Sequence, residues 1–407
     1  NFDAAVISPG WRQDHPLVVK ILDSSLELLN EIDIAWKLRS SRAPRQKWIA
    51  VTGTNGKTTT VEMTAAILQV AGIKATACGN VGDTVIDAVD RDDAYEVLVL
   101  ELSSFQLHWA KQAQFQAATI LNIADDHLDW HGTFEAYADA KFSILDRAEI
   151  AILNADDGAV VTRANRFSGR KVFFSIDTPA PGEIGVVEEL LVDRAFVADP
   201  QQASMICELN DIVPTVPHNV SNALAAAGLA RAINVSHEDI QKALQAFRPG
   251  RHRIEVIHEA DGVTWVDDSK ATNPHATAAS LMSHLSVVWI AGGLAKGADM
   301  DSLIERCAPR IKVAILVGED RGLIEAALIK YAPTIPRILI DAPSDYTRGG
   351  ESNSLMEAVV SAASQHAQSG DAVLLAPACA SMDQFISYAD RGDRFAAAVR
   401  KVIAHEA

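Results

Sequence analysis

Along this chain short apolar runs end in glycine or in a cluster of polar residues, and each is followed by a stretch with helical spacing. That alternation predicts strands of a parallel sheet joined by crossover helices. The clearest case is a strand over residues 48–51, a turn holding Gly53 and Gly56, and a helix whose Val61, Ala65 and Leu68 share one face, with Gly72 as its C-cap. Strands over 96–100, 118–123 and 151–154 repeat the pattern, and a helix is expected over 134–145. Before them lie a strand at 4–7, the turn Ser8-Pro9-Gly10, helical patterns at 16–29 and 31–39, and a polar link at 40–47. Residues 168–217 read as short strand-like pieces (171–175, 188–192, 195–197) broken by proline and glycine, before an alanine-rich helix at 223–233. The run Phe247-Arg248-Pro249-Gly250-Arg251-His252-Arg253 interrupts the pattern and reads as a hinge. Beyond it, strands at 263–266, 287–291, 312–317, 338–340 and 372–376 imply a second parallel sheet with helices on both faces.

Three domains are expected: 1–44, 45–249 and 250–407. A chain of 407 residues exceeds what one core usually holds. Its net charge of -17 speaks against tracking a nucleic-acid backbone, and no apolar run reaches the ~18 residues a membrane span needs. The four cysteines are scattered without C-x-x-C spacing, which fits buried thiols in a reducing cytoplasm. No G-x-G-x-x-G fingerprint supports dinucleotide redox chemistry.

The strand exits carry the candidate chemistry. Gly53-Thr54-Asn55-Gly56-Lys57-Thr58-Thr59 is a shortened phosphate loop, G-x-x-G-K-T, opening a helix. Its backbone N–H groups and the helix dipole suit ATP phosphates, with Lys57 neutralising β/γ oxygens and Thr58 ligating Mg2+. Glu101, at the end of the 96–100 strand, is a candidate metal ligand, and so is His127 in the cluster Asp125-Asp126-His127-Leu128-Asp129. His131 and Lys141 read as surface residues; an unmodified Lys141 would repel a cation. Asn219 and Asn222 either cap the helix they open or contact nucleotide, and Arg253 is either a solvated linker residue or a phosphate ligand.

Together, Gly53 to Thr58, Leu100-Glu101-Leu102-Ser103-Ser104-Phe105-Gln106, Asp126-His127-Leu128-Asp129, Asp268-Ser269-Lys270-Ala271-Thr272-Asn273 and Ala378-Cys379-Ala380-Ser381-Met382-Asp383-Gln384-Phe385 resemble the Mur ligases. The segments at Glu101, Asp268 and Ser381 resemble the member of that family that joins D-glutamate to UDP-N-acetylmuramoyl-L-alanine. The resemblance implies a P-loop-type doubly wound central ATPase domain, a Rossmann-like C-terminal domain and a remnant of an N-terminal α/β domain, most of that UDP-binding domain being expected to be absent. It implies a cytoplasmic monomer using ATP and two Mg2+ sites. Lys57, Glu101, His127, Lys141 and Lys270 would be catalytic. Thr58, Glu101, His127 and Lys141, carbamylated by CO2, would hold metal. Gly53 to Thr59, Asn219, Asn222, Arg253 and Asp268 would contact ATP. Ser8, Pro9, Gly10, Asn80 and Ser103 would face the UDP substrate, and Thr272, Lys296, Ser381 and Tyr388 the D-glutamate. Two positions depart from the family pattern: Tyr388 stands where phenylalanine is usual, and Pro217 precedes His218-Asn219 where glycine is usual.

Overall fold

The computed structural model describes residues 2–344 and 346–403. It divides into two units, the first ending at Arg248 and the second beginning at Pro249. Among the described residues no helix is long and apolar enough to cross a membrane.

The first unit opens with a small parallel pair, β1 (Ala4–Val6) and β2 (Glu27–Leu29). Its main sheet has nine strands: β3 (Lys47–Thr52), β4 (Ala75–Gly79), β5 (Val97–Glu101), β6 (Phe115–Ile120), β7 (Ala148–Asn154), β8 (Arg170–Phe174), β9 (Ile184–Val187), β10 (Leu190–Asp193) and β11 (Ser204–Glu208). Their order is β11-β10-β9-β8-β7-β6-β3-β5-β4, parallel from β4 to β9 and antiparallel at β9-β10-β11. The run is apolar without a break because both faces are covered. Ile49 and Val51 join the core beneath helices Lys57–Val70 and Pro217–Ala232, while Trp48 and Ala50 point into the core on the other face. The chain leaves β3 for β4 and β5 on one side and reaches β6 on the other. This is a topological switch point, where open α/β sheets bind ligands. Helix Pro217–Ala232 lies close to the sheet because its contact face is alanine and glycine; a Cβ at Gly228 would sit 2.8 Å from Ile152 Cγ2.

The second unit holds six strands: β12 (Glu255–Ala260), β13 (Val263–Asp267), β14 (Val287–Gly292), β15 (Ile311–Val317), β16 (Arg337–Leu339) and β17 (Ala372–Leu375). The order β12-β13-β17-β14-β15-β16 is parallel except at the hairpin β12-β13. Helices such as Ser354–Ser364 and Tyr388–Ile403 close its core.

Several expected elements differ. The helix expected over 16–29 stops at Leu22, capped at Asp23, and Glu27–Leu29 becomes a strand because β1 offers a pairing partner. No strand forms at 195–197: the Asp193 carboxylate accepts the N–H groups of Ala195 and Phe196 and turns the chain instead. β4, β9, β11 and the antiparallel edge β12 are additional strands, β4 forming where a glycine-flanked turn was expected over 76–82. The helix at 134–145 ends at Phe142, and the one at 223–233 begins at Pro217, a residue suited to a first helical turn.

Candidate active site

The phosphate loop links β3 to helix Lys57–Val70. Gly56 caps that helix at φ 85 and offers no side chain to compete with an anion for the first-turn N–H groups. A Cβ at Gly56 would overlap Oδ1 of Asn222, which also accepts from Thr60 Oγ1 at 3.4 Å. Asn222 thus stands against the loop, whereas Asn219 donates to the Pro214 carbonyl at 2.9 Å. Asn55 N–H donates to Asn122 Oδ1 (2.8 Å), and Asn122 Nδ2 donates back to the Asn55 carbonyl (3.1 Å). Thr54 Oγ1 lies 2.9 Å from the Tyr137 hydroxyl and accepts from Ala124 N–H at 2.9 Å. Lys57 Nζ curls back to the carbonyls of Gly53 (2.9 Å) and Thr54 (2.8 Å). Thr58 is partly exposed on the first turn, and Thr59 is buried beneath it.

Lys141 does not lie on the surface. It is 2% exposed and donates to the Gly53 carbonyl at 2.8 Å, with its ammonium 4.8 Å from the centre of the Tyr137 ring. Burial, reinforced by the charge of Lys57, holds its pKa well below the ordinary lysine value. His131 is not on the surface either: it is buried, and its Nε2 sits 2.9 Å from Ser104 Oγ. Burial, with His108 and His127 nearby, pushes its pKa down to about 4.

Glu101 ends β5 fully buried. Its Oε1 accepts from Asn80 Nδ2 at 2.9 Å, and its Oε2 has no hydrogen-bond partner among the described residues. A buried carboxylate with one oxygen unpartnered among the described residues, within electrostatic reach of Lys141, fits a cation ligand. A cavity of about 130 Å³ gathers Lys57, Asn80, Ser103, Ser104, Phe105, Asp126, His127, Tyr137 and Lys141. Ser103 caps helix Ser104–Trp109 through a capping box with Gln106, and His127 packs on Phe105 with ring centres 4.7 Å apart. The Ser8-Pro9-Gly10 turn reaches the short helix Leu128–His131 that follows His127, where Trp130 Nε1 donates to the Gly10 carbonyl at 3.1 Å. The sequence did not single out Asn122 or Tyr137, and it offered Asp126 only as part of the cluster around His127. The available signal for Tyr137 was its place one turn before Lys141 on the same helix face.

In the second unit the exits of β13, β14 and β17 meet through main-chain hydrogen bonds. Ala378 N–H donates to the Ala271 carbonyl, and Leu294 and Ala380 bond reciprocally, all near 2.9–3.0 Å. These exits bear Thr272, Lys296 and Ser381; Ser381 is buried, while Lys296 is exposed in the left-handed region at φ 52. Lys270 lies 3.9 Å from the centre of the Tyr388 ring. Asp268 is buried and accepts from Ile254 N–H at 3.3 Å; burial raises its pKa to about 7, against hydrogen bonding that favours the carboxylate and a lesser pull from Arg253. His252 hydrogen-bonds Asp267 at 2.7 Å behind it.

Residues 51–230 match the Mur ligase middle domain, and residues 252–379 match the Mur ligase, glutamate ligase domain. Over 404 residues the chain is 49% identical to the UDP-N-acetylmuramoylalanine--D-glutamate ligase of Thermobifida fusca, covering 98% of this chain and 84% of the relative. The chain belongs to the Mur ligase family. It is 48% identical over 402 residues to a protein of the same name from Streptomyces avermitilis, covering 97% of this chain and 84% of the relative. Solved Mur ligases share the fold: MurF from Thermotoga maritima in complex with ADP (TM-score 0.64, 18% identity, 93% of this chain and 84% of that one) and MurF from Acinetobacter baumannii (TM-score 0.64, 20% identity, 94% and 82%).

Proposed function

We propose that this Mur ligase is an ATP-dependent, ADP-forming amide ligase that joins D-glutamate to UDP-N-acetylmuramoyl-L-alanine, as a cytoplasmic monomer in peptidoglycan precursor synthesis. The observation that carries the reading is 49% identity, across 98% of the chain, to a relative named for that reaction.

In this reading the loop N–H groups from Gly53 to Thr59 and the Lys57 ammonium hold the ATP phosphates, with Asn219, Asn222, Arg253 and Asp268 contributing further nucleotide contacts. The alanyl carboxylate oxygen of the acceptor attacks the γ-phosphorus, ADP leaves, and an acyl phosphate forms. The D-glutamate amine then attacks the acyl carbon, phosphate leaves with the bonding electrons, and the amine loses a proton. Lys57 and Lys270 stabilise charge that develops in these steps. Ser8, Pro9, Gly10, Asn80 and Ser103 orient the nucleotide-sugar acceptor. Thr272, Lys296, Ser381 and Tyr388 orient D-glutamate.

Thr58, Glu101, His127 and Lys141 would hold two magnesium ions, which when bound supply positive charge to the phosphate oxygens. Glu101 Oε2, which has no hydrogen-bond partner among the described residues, supports this set. Lys141 fits it as a carbamate: its buried amine is held toward the neutral form that adds to CO2, giving an N-carboxylate and one proton. The modification turns a cation into an anionic ligand and removes the repulsion from Lys57.

Phosphate release, measured with UDP-N-acetylmuramoyl-L-alanine against a panel of D- and L-amino acids, tests the proposal. Release is expected with D-glutamate and not with L-glutamate. Equal use of the two enantiomers, or preference for a folate-type acceptor, overturns the substrate assignment.

A further inference from the structure

Arg391 has no role in the chemistry above, yet it is one of the largest wholly buried side chains, 1% exposed on the first turn of helix Tyr388–Ile403. Its guanidinium makes four hydrogen bonds at strand exits and none to a carboxylate among the described residues. Nε donates to Ser269 Oγ and Nη2 to the Ser269 carbonyl, both at 2.9 Å; Nη1 reaches the Cys379 carbonyl at 3.2 Å and the Gly292 carbonyl at 3.5 Å. Ser269 Oγ donates onward to the Tyr388 carbonyl at 2.7 Å, closing the ring of contacts.

Ser269, Gly292 and Cys379 belong to the exits of β13, β14 and β17, three adjacent strands at the centre of the second sheet. Those same exits carry Lys270 and Thr272, Lys296, and Ser381. A planar guanidinium fixes the angle between its donors, so one side chain sets the spacing of all three loops, which a lysine, a single point donor, would not do. Burying a full charge without a paired carboxylate is costly, and a purely packing role would be served by an apolar residue of similar volume.

We infer that Arg391 is a positioning residue for the amino-acid pocket, holding the loops that carry Lys270, Lys296 and Ser381 at the separation the pocket requires. The inference rests on the proposed function for the identity of the pocket, and on the geometry alone for the clamp.

Two measurements on Arg391→Lys and Ser269→Ala test it. The first is hydrogen exchange across residues 268–273, 292–297 and 378–383. Faster exchange in all three loops of Arg391→Lys, with the rest of the unit unchanged, is the expected result, and exchange unaltered in any one loop overturns the clamp. The second is steady-state kinetics: Arg391→Lys should raise the D-glutamate KM by roughly tenfold or more while the ATP KM holds within about twofold, since small misplacements cost that much. Ser269→Ala removes one of the acceptors and should shift the D-glutamate KM in the same direction by less. Parallel changes in both KM values, or none, overturn the positioning role. A parent enzyme that fails to use D-glutamate refutes the functional reading instead, and the exchange result still decides the clamp.

Discussion

Asn80 donates to one oxygen of the Glu101 carboxylate at 2.9 Å and leaves the other oxygen buried with no partner among the described residues. The amide fixes the carboxylate's rotation. The remaining lone pairs therefore keep one orientation, held by an amide that itself lines the cavity of Lys57, His127 and Lys141.

Glu101→Gln keeps an oxygen for Asn80 and replaces Oε2 with an amide nitrogen. The magnesium concentration giving half-maximal turnover should rise by about tenfold or more, while the metal-free protein melts no lower than the parent, because an isolated buried charge has been removed. A metal titration that superimposes on the parent's would eliminate Glu101 as a ligand.

Lys141→Ala should be nearly inactive and partly rescued by short carboxylic acids that take the place of the carbamate. Carbon-13 bicarbonate should give a carbamate resonance in the parent and none in the variant. Normal turnover of the variant would leave Lys141 as a buried structural lysine.

Lys296→Met should raise the D-glutamate KM far more than the ATP KM, because Lys296 sits on a strand exit of the second unit with Ser381 on the neighbouring exit. Lysine and methionine meet the left-handed φ of 52 at position 296 at similar strain, so the backbone changes little. Equal effects on both KM values would detach Lys296 from the amino acid.

Asp268 gives a pH signature. Its folded pKa, about 7, lies above the ordinary carboxylate value, so the folded state holds its proton while the unfolded chain has lost it. The stability this contributes is fully present below the unfolded pKa and declines as pH rises to about 7. Asp268→Asn mimics the protonated form at every pH. The parent's Tm relative to the variant's should therefore fall between about pH 4 and pH 7 and level off above. A difference independent of pH would show that Asp268 is not retained as the acid.

Much of this was legible because it is local. Gly56-Lys57-Thr58 follows a strand and starts a helix within a few residues, and glycine there answers to a positive φ that its neighbours in sequence already imply. Burial of Lys141 was not legible, since helix Phe134–Phe142 mixes charged and apolar residues and the sheet end that covers Lys141 is distant in sequence. Strands β9, β11 and β12 are short or lie at sheet edges, and their pairing depends on partners that no local pattern reveals. Arg391 reads as one of several charges on an amphipathic helix, because its partner Ser269 lies 122 residues upstream.

The carboxamide of Asn222 fills the space a side chain at Gly56 would need. Those two positions therefore behave as one hereditary unit. A lineage that enlarges residue 56 must displace or shrink the side chain at 222, and even that relieves only the collision, since the φ of 85 still strains any residue but glycine. Drift at residue 56 is thus answerable to a side chain that the chain supplies only much later in sequence, at residue 222.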